Sequence, residues 1–137
     1  MDEGVRARLQ AFLEMGGFDR ALAGLEVIDA EAGKATLRIL VGRAVQNLGG
    51  NLHGGAIATR VDDAGTIAIM TADRDGRPGV TTDLNVSYFS AARADEIVLI
   101  EAEVLKTGKT MAYVSVDLLR ERDGVRIAQG RMTKFLS

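Results

Sequence analysis

The residues best suited to chemistry lie between positions 47 and 62. His53 precedes Gly54-Gly55 at the predicted start of a helix, where the first backbone N–H groups lack helical acceptors and can stabilise an oxyanion. Eight residues after Gly54, Asp62 interrupts an apolar segment, where an ionised carboxylate is costly without polar partners or a task. The pattern predicts either an oxyanion hole with a catalytic carboxylate, or a plain turn and a carboxylate that meets solvent or an arginine.

Several other chemistries are excluded by residues that the chain lacks. It has no cysteine, which excludes disulfides, thiolate zinc sites, Fe–S clusters and thiol nucleophiles. One histidine is too few for a His-rich zinc site, and no G-x-S-x-G nucleophile elbow is present. The segment 107–110 resembles the end of a P-loop, but the first glycine is missing. The acidic pairs at 62–63 and 95–96 are more typical of a solvated helix face and a turn, so we predict no metal site.

The composition is that of an ordinary globular domain. With 137 residues and no linker or repeat, the chain is predicted to form one domain over 1–137. Seventeen basic and 19 acidic residues give a net charge of −2, which argues against nucleic-acid binding through a basic face. No stretch is apolar for long enough to cross a membrane, and the N-terminus lacks a secretory signal. We therefore expect a cytoplasmic protein without nucleic-acid or membrane partners.

Helical periodicity of the apolar residues predicts two helices. A short helix over 2–15, ended by Gly16-Gly17, has an apolar face of Val5, Leu9, Phe12 and Leu13. A long helix runs from Gly54 to about Asp73, with an apolar stripe of Ile57, Val61, Ala64 and Ala68. Because the long helix is small or apolar nearly all round, we expect it to be packed on several sides.

Alternating apolar and polar residues predict the strands around this helix. They lie at about 25–28, 34–41, 80–89, 95–106, 112–118 and 125–135. On the third strand, one face is expected to carry Thr81, Asp83, Asn85 and Ser87. Short turns between the last four strands predict antiparallel pairing. The economical architecture is α+β: a central helix wrapped by one antiparallel sheet over 25–137, with an N-terminal helix region over 1–24.

Four ordered blocks of the sequence resemble one family. They are 47–62, which contains Leu-His-Gly-Gly and Val-Asp-Asp, and the segments 78–88, 104–110 and 127–134. Together they resemble hotdog-fold acyl-CoA thioesterases of the phenylacetate-pathway type and the related acyl-CoA thioesterase 13-like proteins. The resemblance covers the chain from about Gly33 onward. It implies the hotdog fold, a long helix wrapped by an antiparallel sheet, in agreement with the periodicity.

The resemblance also implies catalytic roles. Asp62 takes the position of the catalytic carboxylate, as general base on a water or as direct nucleophile, and we favour the base. Thr81, where the family often has serine, would hold that water. The Gly54 N–H would bind the thioester oxygen. His53 and Asn47 match positions that orient the loop and polarise the carbonyl, although a helix-start hydrogen bond and a plain turn remain equally good explanations.

The resemblance further implies a coenzyme A site, with no separate cofactor because coenzyme A is part of the substrate. Arg93, Lys106, Lys109 and Lys134 are the predicted phosphate partners, although single strand-end cations are more often solvated. The substrate-binding and coenzyme-binding residues expected on this basis are Gly55, Tyr88, Phe89, Ser90, Arg93, Lys106, Gly108, Lys109, Thr110, Arg131, Lys134 and Phe135.

A homodimer, and a dimer of dimers, follow from the same resemblance. In that arrangement, the helix that carries Asp62 is expected to face Thr81 of another chain. Some family members have asparagine where this chain has Asp63. Because neighbouring residues on a helix are turned about 100° apart, we expect Asp63 to point elsewhere, and not inward with Asp62.

Two alternatives compete with the hydrolase: a non-catalytic acyl-CoA sensor, which has no need of Asp62, and a hydroxyacyl dehydratase, which ranks last. The sequence does not indicate the acyl group.

Overall fold

The computed structural model describes residues 1–15, 17–19 and 24–137. The helices are α1 (Glu3–Leu13) and α2 (Gly54–Ala72), and a 3₁₀ turn covers Arg43–Val45. The strands are β1 (Leu25–Glu31), β2 (Lys34–Leu40), β3 (Val80–Tyr88), β4 (Ile97–Thr107), β5 (Met111–Arg120) and β6 (Arg126–Phe135). Both predicted helices and all six predicted strands are present, which confirms the α+β architecture. The predicted helix stop includes Gly16, which lies outside the described residues.

The six strands form one antiparallel sheet in the order β1-β2-β4-β5-β6-β3. β3 therefore pairs with β6 at one edge of the sheet, and β4 pairs with β2. The pairing predicted for the last four strands is confirmed for β4–β5 and β5–β6 and was wrong for β3–β4. Strand β3 is only partly covered, and its exposed large side chains are Val80, Leu84 and Tyr88. Among the described residues, no helix is long and apolar enough to cross a membrane.

A β-bulge overturns the predicted face of β3. Thr81 pairs with Lys134 and Asp83 pairs with Thr133, so Thr82 is the extra residue on its strand. Side chains alternate across a strand, and the bulge breaks this alternation. Thr81 therefore shares the face of Lys134, which is opposite to the face of Asp83 and Thr133. The expectation that Thr81 shares a face with Asp83, Asn85 and Ser87 was wrong.

Helix α2 packs against all six strands of the sheet. Ile57, Val61, Ala64 and Ala68 are buried, as the apolar stripe predicts, and Ile67 is fully buried as well. Gly65 permits the close approach, because a Cβ there would lie 2.5 Å from Met132 Cε and 2.9 Å from Val114 Cγ1. The helix is thus fixed against β5 and β6, and these contacts determine where its polar residues point.

Helix α1 packs against strand β1 and contributes to the hydrophobic core. The Asp2 side chain caps it by accepting a hydrogen bond from Gly4 N at 2.6 Å, and Leu9 and Leu13 are buried. The Gln10 side chain accepts from Val27 N at 2.8 Å and donates to Leu25 O at 3.0 Å. These bonds join α1 to β1 and bring the end of α1 close to α2.

Candidate active site

The loop before α2 is held by its own polar side chains. Asn47 Oδ1 accepts hydrogen bonds from Gly49 N at 2.9 Å and from Asn51 N at 3.0 Å. The Asn47 N–H donates to Asn51 O at 2.7 Å and closes the turn. These are the contacts of a turn residue, so Asn47 has the structural role that the sequence left open.

His53 caps helix α2. Its Nδ1 accepts a hydrogen bond from Gly55 N at 2.8 Å, and its backbone is extended, with φ −63° and ψ 135°. Because Nδ1 is an acceptor, the ring proton of the neutral form lies on Nε2, a donor that the cap does not use. The structural contact and a role in polarising a carbonyl are therefore compatible.

Gly54 is the first residue of α2, so its N–H has no acceptor within the helix. The Tyr88 hydroxyl donates a hydrogen bond to Gly54 O at 2.8 Å, and the Tyr88 ring lies against the Gly54 Cα. Tyr88, predicted as a coenzyme-binding residue, thus holds the first peptide of α2. The N–H without a helical acceptor, the positive end of the α2 dipole and the exposed His53 ring are features that can stabilise an anionic oxygen.

Asp62 and Thr81 form the second half of the candidate site. The Thr81 hydroxyl donates to Asp62 Oδ1 at 2.7 Å, and both residues are half-buried. This bond lies within one chain, because the bulge at Thr82 turns Thr81 towards α2. The expectation that Asp62 faces Thr81 of another chain was therefore wrong.

Asp62 also lies between two cavities. One, of about 370 Å³, is lined by Asp62 and by Asp63, Thr66, Lys134, Asp19, Pro78, Gly79, Phe12, Leu13 and Met15. The other, of about 430 Å³, is lined by Asp62 and by Thr81, Ala58, Thr59, Leu84, Phe18 and Asp19. The carboxylate is thus accessible to a ligand from both sides.

Asp63 points inward and lines the 370 Å³ cavity together with Asp62, so the expectation that it points elsewhere was wrong. It is buried and pairs with Arg60, whose Nη1 lies 2.7 Å from Asp63 Oδ2. Burial raises the pKa of Asp63 to about 7, although the hydrogen bond from Arg60 opposes this shift. Asp19 raises the pKa further through its charge and a side-chain hydrogen bond. The interpretation of residues 62–63 as a solvated helix face was therefore wrong for Asp63.

The two halves of the candidate site are too far apart within one chain. Gly54 and Asp62 are eight residues apart on α2, which separates them by about 12 Å along the axis and about 80° around it. A reacting carbonyl oxygen must lie about 3 Å from the N–H, and its carbon must lie within reach of the carboxylate through one water, about 6 Å away. One chain therefore cannot apply the Gly54 N–H and the Asp62 carboxylate to the same carbonyl.

Comparison with known proteins identifies the family. The model of the Thioesterase superfamily matches residues 49–127. Acyl-coenzyme A thioesterase 13 from Homo sapiens is 40% identical over 136 residues, which cover 99% of this chain and 96% of that protein. The chain belongs to the thioesterase superfamily. The family and the enzyme class predicted from the sequence are therefore confirmed.

Solved structures agree with this thioesterase assignment. Zebra fish thioesterase superfamily member 2 superposes with a TM-score of 0.90 at 45% identity, over 97% of this chain and 96% of that chain. A mutant of the phenylacetic acid degradation protein PaaI from Thermus thermophilus gives a TM-score of 0.75 at 25% identity, over 83% and 94%. The predicted hotdog fold is confirmed by these likenesses.

The coenzyme-binding residues predicted for this thioesterase fall into separate groups. Arg93 lies beside the loop before α2, where it forms a β-bridge with Asn51, and Tyr88, Phe89 and Ser90 lie nearby at the end of β3. Lys106, Gly108, Lys109 and Thr110 form the exposed β4–β5 hairpin. Strand β4 separates the two groups by its 11 residues, or about 33 Å. One chain therefore does not bring them to one phosphate group.

Of the remaining predicted binding residues of the thioesterase, Gly55 is the second residue of α2 and the other three lie on β6. Arg131 and Phe135 are exposed, whereas Lys134 is only 5% exposed and lines the cavity beside Asp62. Lys134 is thus buried beside Asp62, whereas a cation that binds coenzyme phosphates was expected at the surface.

Sequence reasoning also missed the buried Arg60–Asp63 pair. Opposite charges three residues apart on an otherwise apolar helix were the signal that could have revealed it.

Proposed function

We propose that this protein hydrolyses acyl-CoA thioesters to a free carboxylic acid and coenzyme A. The observation that carries the proposal is the Thr81–Asp62 hydrogen bond, which orients a helix carboxylate beside two cavities. Further support comes from the 40% identity to acyl-coenzyme A thioesterase 13 over nearly the whole of both chains.

In the proposed reaction, Asp62 acts as general base. A water donates one hydrogen bond to the free Asp62 oxygen and another to the Thr81 hydroxyl oxygen. The water oxygen attacks the thioester carbon as its proton passes to Asp62. The resulting oxyanion accepts hydrogen bonds from Gly54 N–H and His53 Nε2–H. When it collapses, the C–S bond breaks, and the proton held by Asp62 passes to the departing coenzyme A sulfur, which restores the carboxylate.

A homodimer would complete this site. Because about 12 Å of helix separates Gly54 from Asp62, the proposal takes Gly54 and His53 from one subunit and Asp62 and Thr81 from the other. The free edge of β3, with exposed Val80, Leu84 and Tyr88, is a suitable pairing surface for a second copy. An antiparallel pairing of two β3 edges would place the Arg93 end of one subunit beside the Lys109 hairpin of the other. A dimer of dimers remains an expectation from the resemblance.

The test is release of free thiol from acyl-CoA, followed with a thiol reagent. We expect the wild-type protein to turn over several members of a panel with aromatic, medium-chain and long-chain acyl groups. A short thioester without the nucleotide serves as control, and it should react with a higher KM because it cannot contact Arg93 or Lys109. Binding of acyl-CoA without thiol release would instead support the sensor.

Replacement of Thr81 by valine tests whether its hydroxyl orients the water. Valine removes the hydroxyl at nearly unchanged shape, so kcat should fall by up to about 10²-fold. Thr81→Ser, which retains the hydroxyl, is the matched control and should keep most of the activity. A folded Thr81→Val variant with wild-type kcat would remove Thr81 from the mechanism.

A further inference from the structure

Lys134 lies directly beside the Thr81–Asp62 pair. In the β3–β6 register, Lys134 is the cross-strand partner of Thr81, so both side chains project from the same face of the sheet towards α2. Lys134 is 5% exposed, and it lines the 370 Å³ cavity together with Asp62, Asp63 and Asp19. A buried cation thus shares a cavity with three carboxyl groups.

The contacts of the Lys134 ammonium are limited to its surroundings in the cavity, as far as the described residues go. It makes no hydrogen bond or ion pair with the residues that the structure describes. Burial lowers the pKa of Lys134, and the charges of Asp62, Asp63 and Asp19 oppose that shift, with Asp62 the strongest of the three. The carboxyl group that most opposes the lowering of the Lys134 pKa is therefore Asp62, with which Lys134 shares the cavity.

Among the described residues, the charged groups that line the cavity with Asp62 come from α2, the segment 17–19 and β6. On α2, Asp63 is already paired with Arg60 at 2.7 Å. The segment 17–19 contributes another acid, Asp19, and the end of α1 contributes the apolar side chains of Phe12 and Leu13. Lys134 on β6 is thus the cation that remains to compensate Asp62 among the described residues that line this cavity.

We propose that Lys134 is a positioning residue, which keeps the half-buried Asp62 carboxylate ionised and therefore able to accept a proton from water. This inference rests on the proposed function, in which Asp62 is the base. The alternative is that Lys134 binds a coenzyme phosphate. The cavity argues against that alternative, because a phosphate placed there would meet three carboxyl groups and the apolar side chains of Phe12, Leu13 and Met15.

The experiment replaces Lys134 by methionine, which has similar length and no charge, and measures the pH profile of kcat/KM. Loss of a nearby cation disfavours the ionised carboxylate. The acidic limb should therefore move to higher pH by about one unit, with little change in KM. Lys134→Arg, which keeps the charge, should leave the acidic limb of the kcat/KM profile at its wild-type pH. Lys34→Met, at an exposed position, is the matched control. Lys134→Gln provides a second neutral variant if the methionine variant does not fold.

A second readout does not depend on turnover. The side-chain ¹³C resonance of Asp62, assigned with Asp62→Asn, should titrate at higher pH in Lys134→Met than in the wild-type protein. Unchanged titration and an unchanged acidic limb would overturn the proposal, whereas loss of wild-type thiol release alone would overturn only the proposed function. A KM increase confined to CoA thioesters, with no movement of the limb, would instead assign Lys134 to a phosphate.

Discussion

Asp62→Asn should leave a folded protein whose kcat for acyl-CoA is about 10³-fold lower than that of the wild type. Asparagine keeps the size of the side chain and can still accept the hydrogen bond from Thr81, which is 2.7 Å long in the structure. It cannot take a proton from water, and positioned general bases contribute about 10²- to 10⁴-fold. Initial rates of thiol release at saturating acyl-CoA measure the decrease in kcat directly.

The control for this substitution is Asp29→Asn, which makes the same chemical change at an exposed position on β1. We expect it to keep wild-type kcat. Circular dichroism and sedimentation should show the same fold and assembly for both variants. If folded Asp62→Asn turned over at the wild-type rate, the carboxylate would have no part in the reaction, and the cavity beside it would need another explanation.

The core helix was predictable because its signal is strong and local. Ile57, Val61, Ala64 and Ala68 follow helical spacing over three turns, and all four are buried against the sheet. The start of α2 was indicated by Gly54-Gly55, where the turn-rich segment gives way to the apolar helical run, although a plain turn was equally compatible with the sequence. These features place Gly54 and Asp62 on one helix, eight residues apart, without any tertiary information.

The second half of the site depends on pairing that the sequence does not display. Thr81 faces Asp62 only because one extra residue, Thr82, shifts the register of β3 against β6. A bulge depends on the partner strand, so alternation along β3 alone assigned Thr81 to the wrong face. The same register places Lys134 beside Thr81, which explains why a lysine that resembles a surface cation is buried.

Gly54→Pro should lower kcat by about 10²- to 10³-fold while α2 remains intact. Proline removes the N–H proposed to bind the oxyanion, and loss of one such donor costs a factor of this size. The substitution suits this position, because the first residue of a helix has no helical acceptor for its N–H and readily accepts proline. The preceding residue, His53, already has the extended backbone that proline requires, with φ −63° and ψ 135°.

Gly54→Ala is the matched control, because it retains the N–H. Its added Cβ would lie 3.5 Å from the Tyr88 ring, an ordinary van der Waals distance, so near-wild-type kcat is expected. A proline variant as active as the alanine variant would show that the Gly54 N–H does not bind the oxyanion. In that case, the exposed Nε2 of His53 would be the remaining donor at the start of α2.

Mixing the two inactive variants tests whether the site spans two subunits. If Asp62 of one subunit acts with Gly54 of the other, a mixed dimer of Asp62→Asn and Gly54→Pro chains contains one site with both groups intact. Random reassembly makes half of the dimers mixed, so about a quarter of wild-type activity should return. If both groups acted within one chain, every chain would carry one defect, and mixing would restore nothing. Activity after unfolding and joint refolding therefore distinguishes the two arrangements, and the roughly 12 Å of helix between Gly54 and Asp62 favours the shared site.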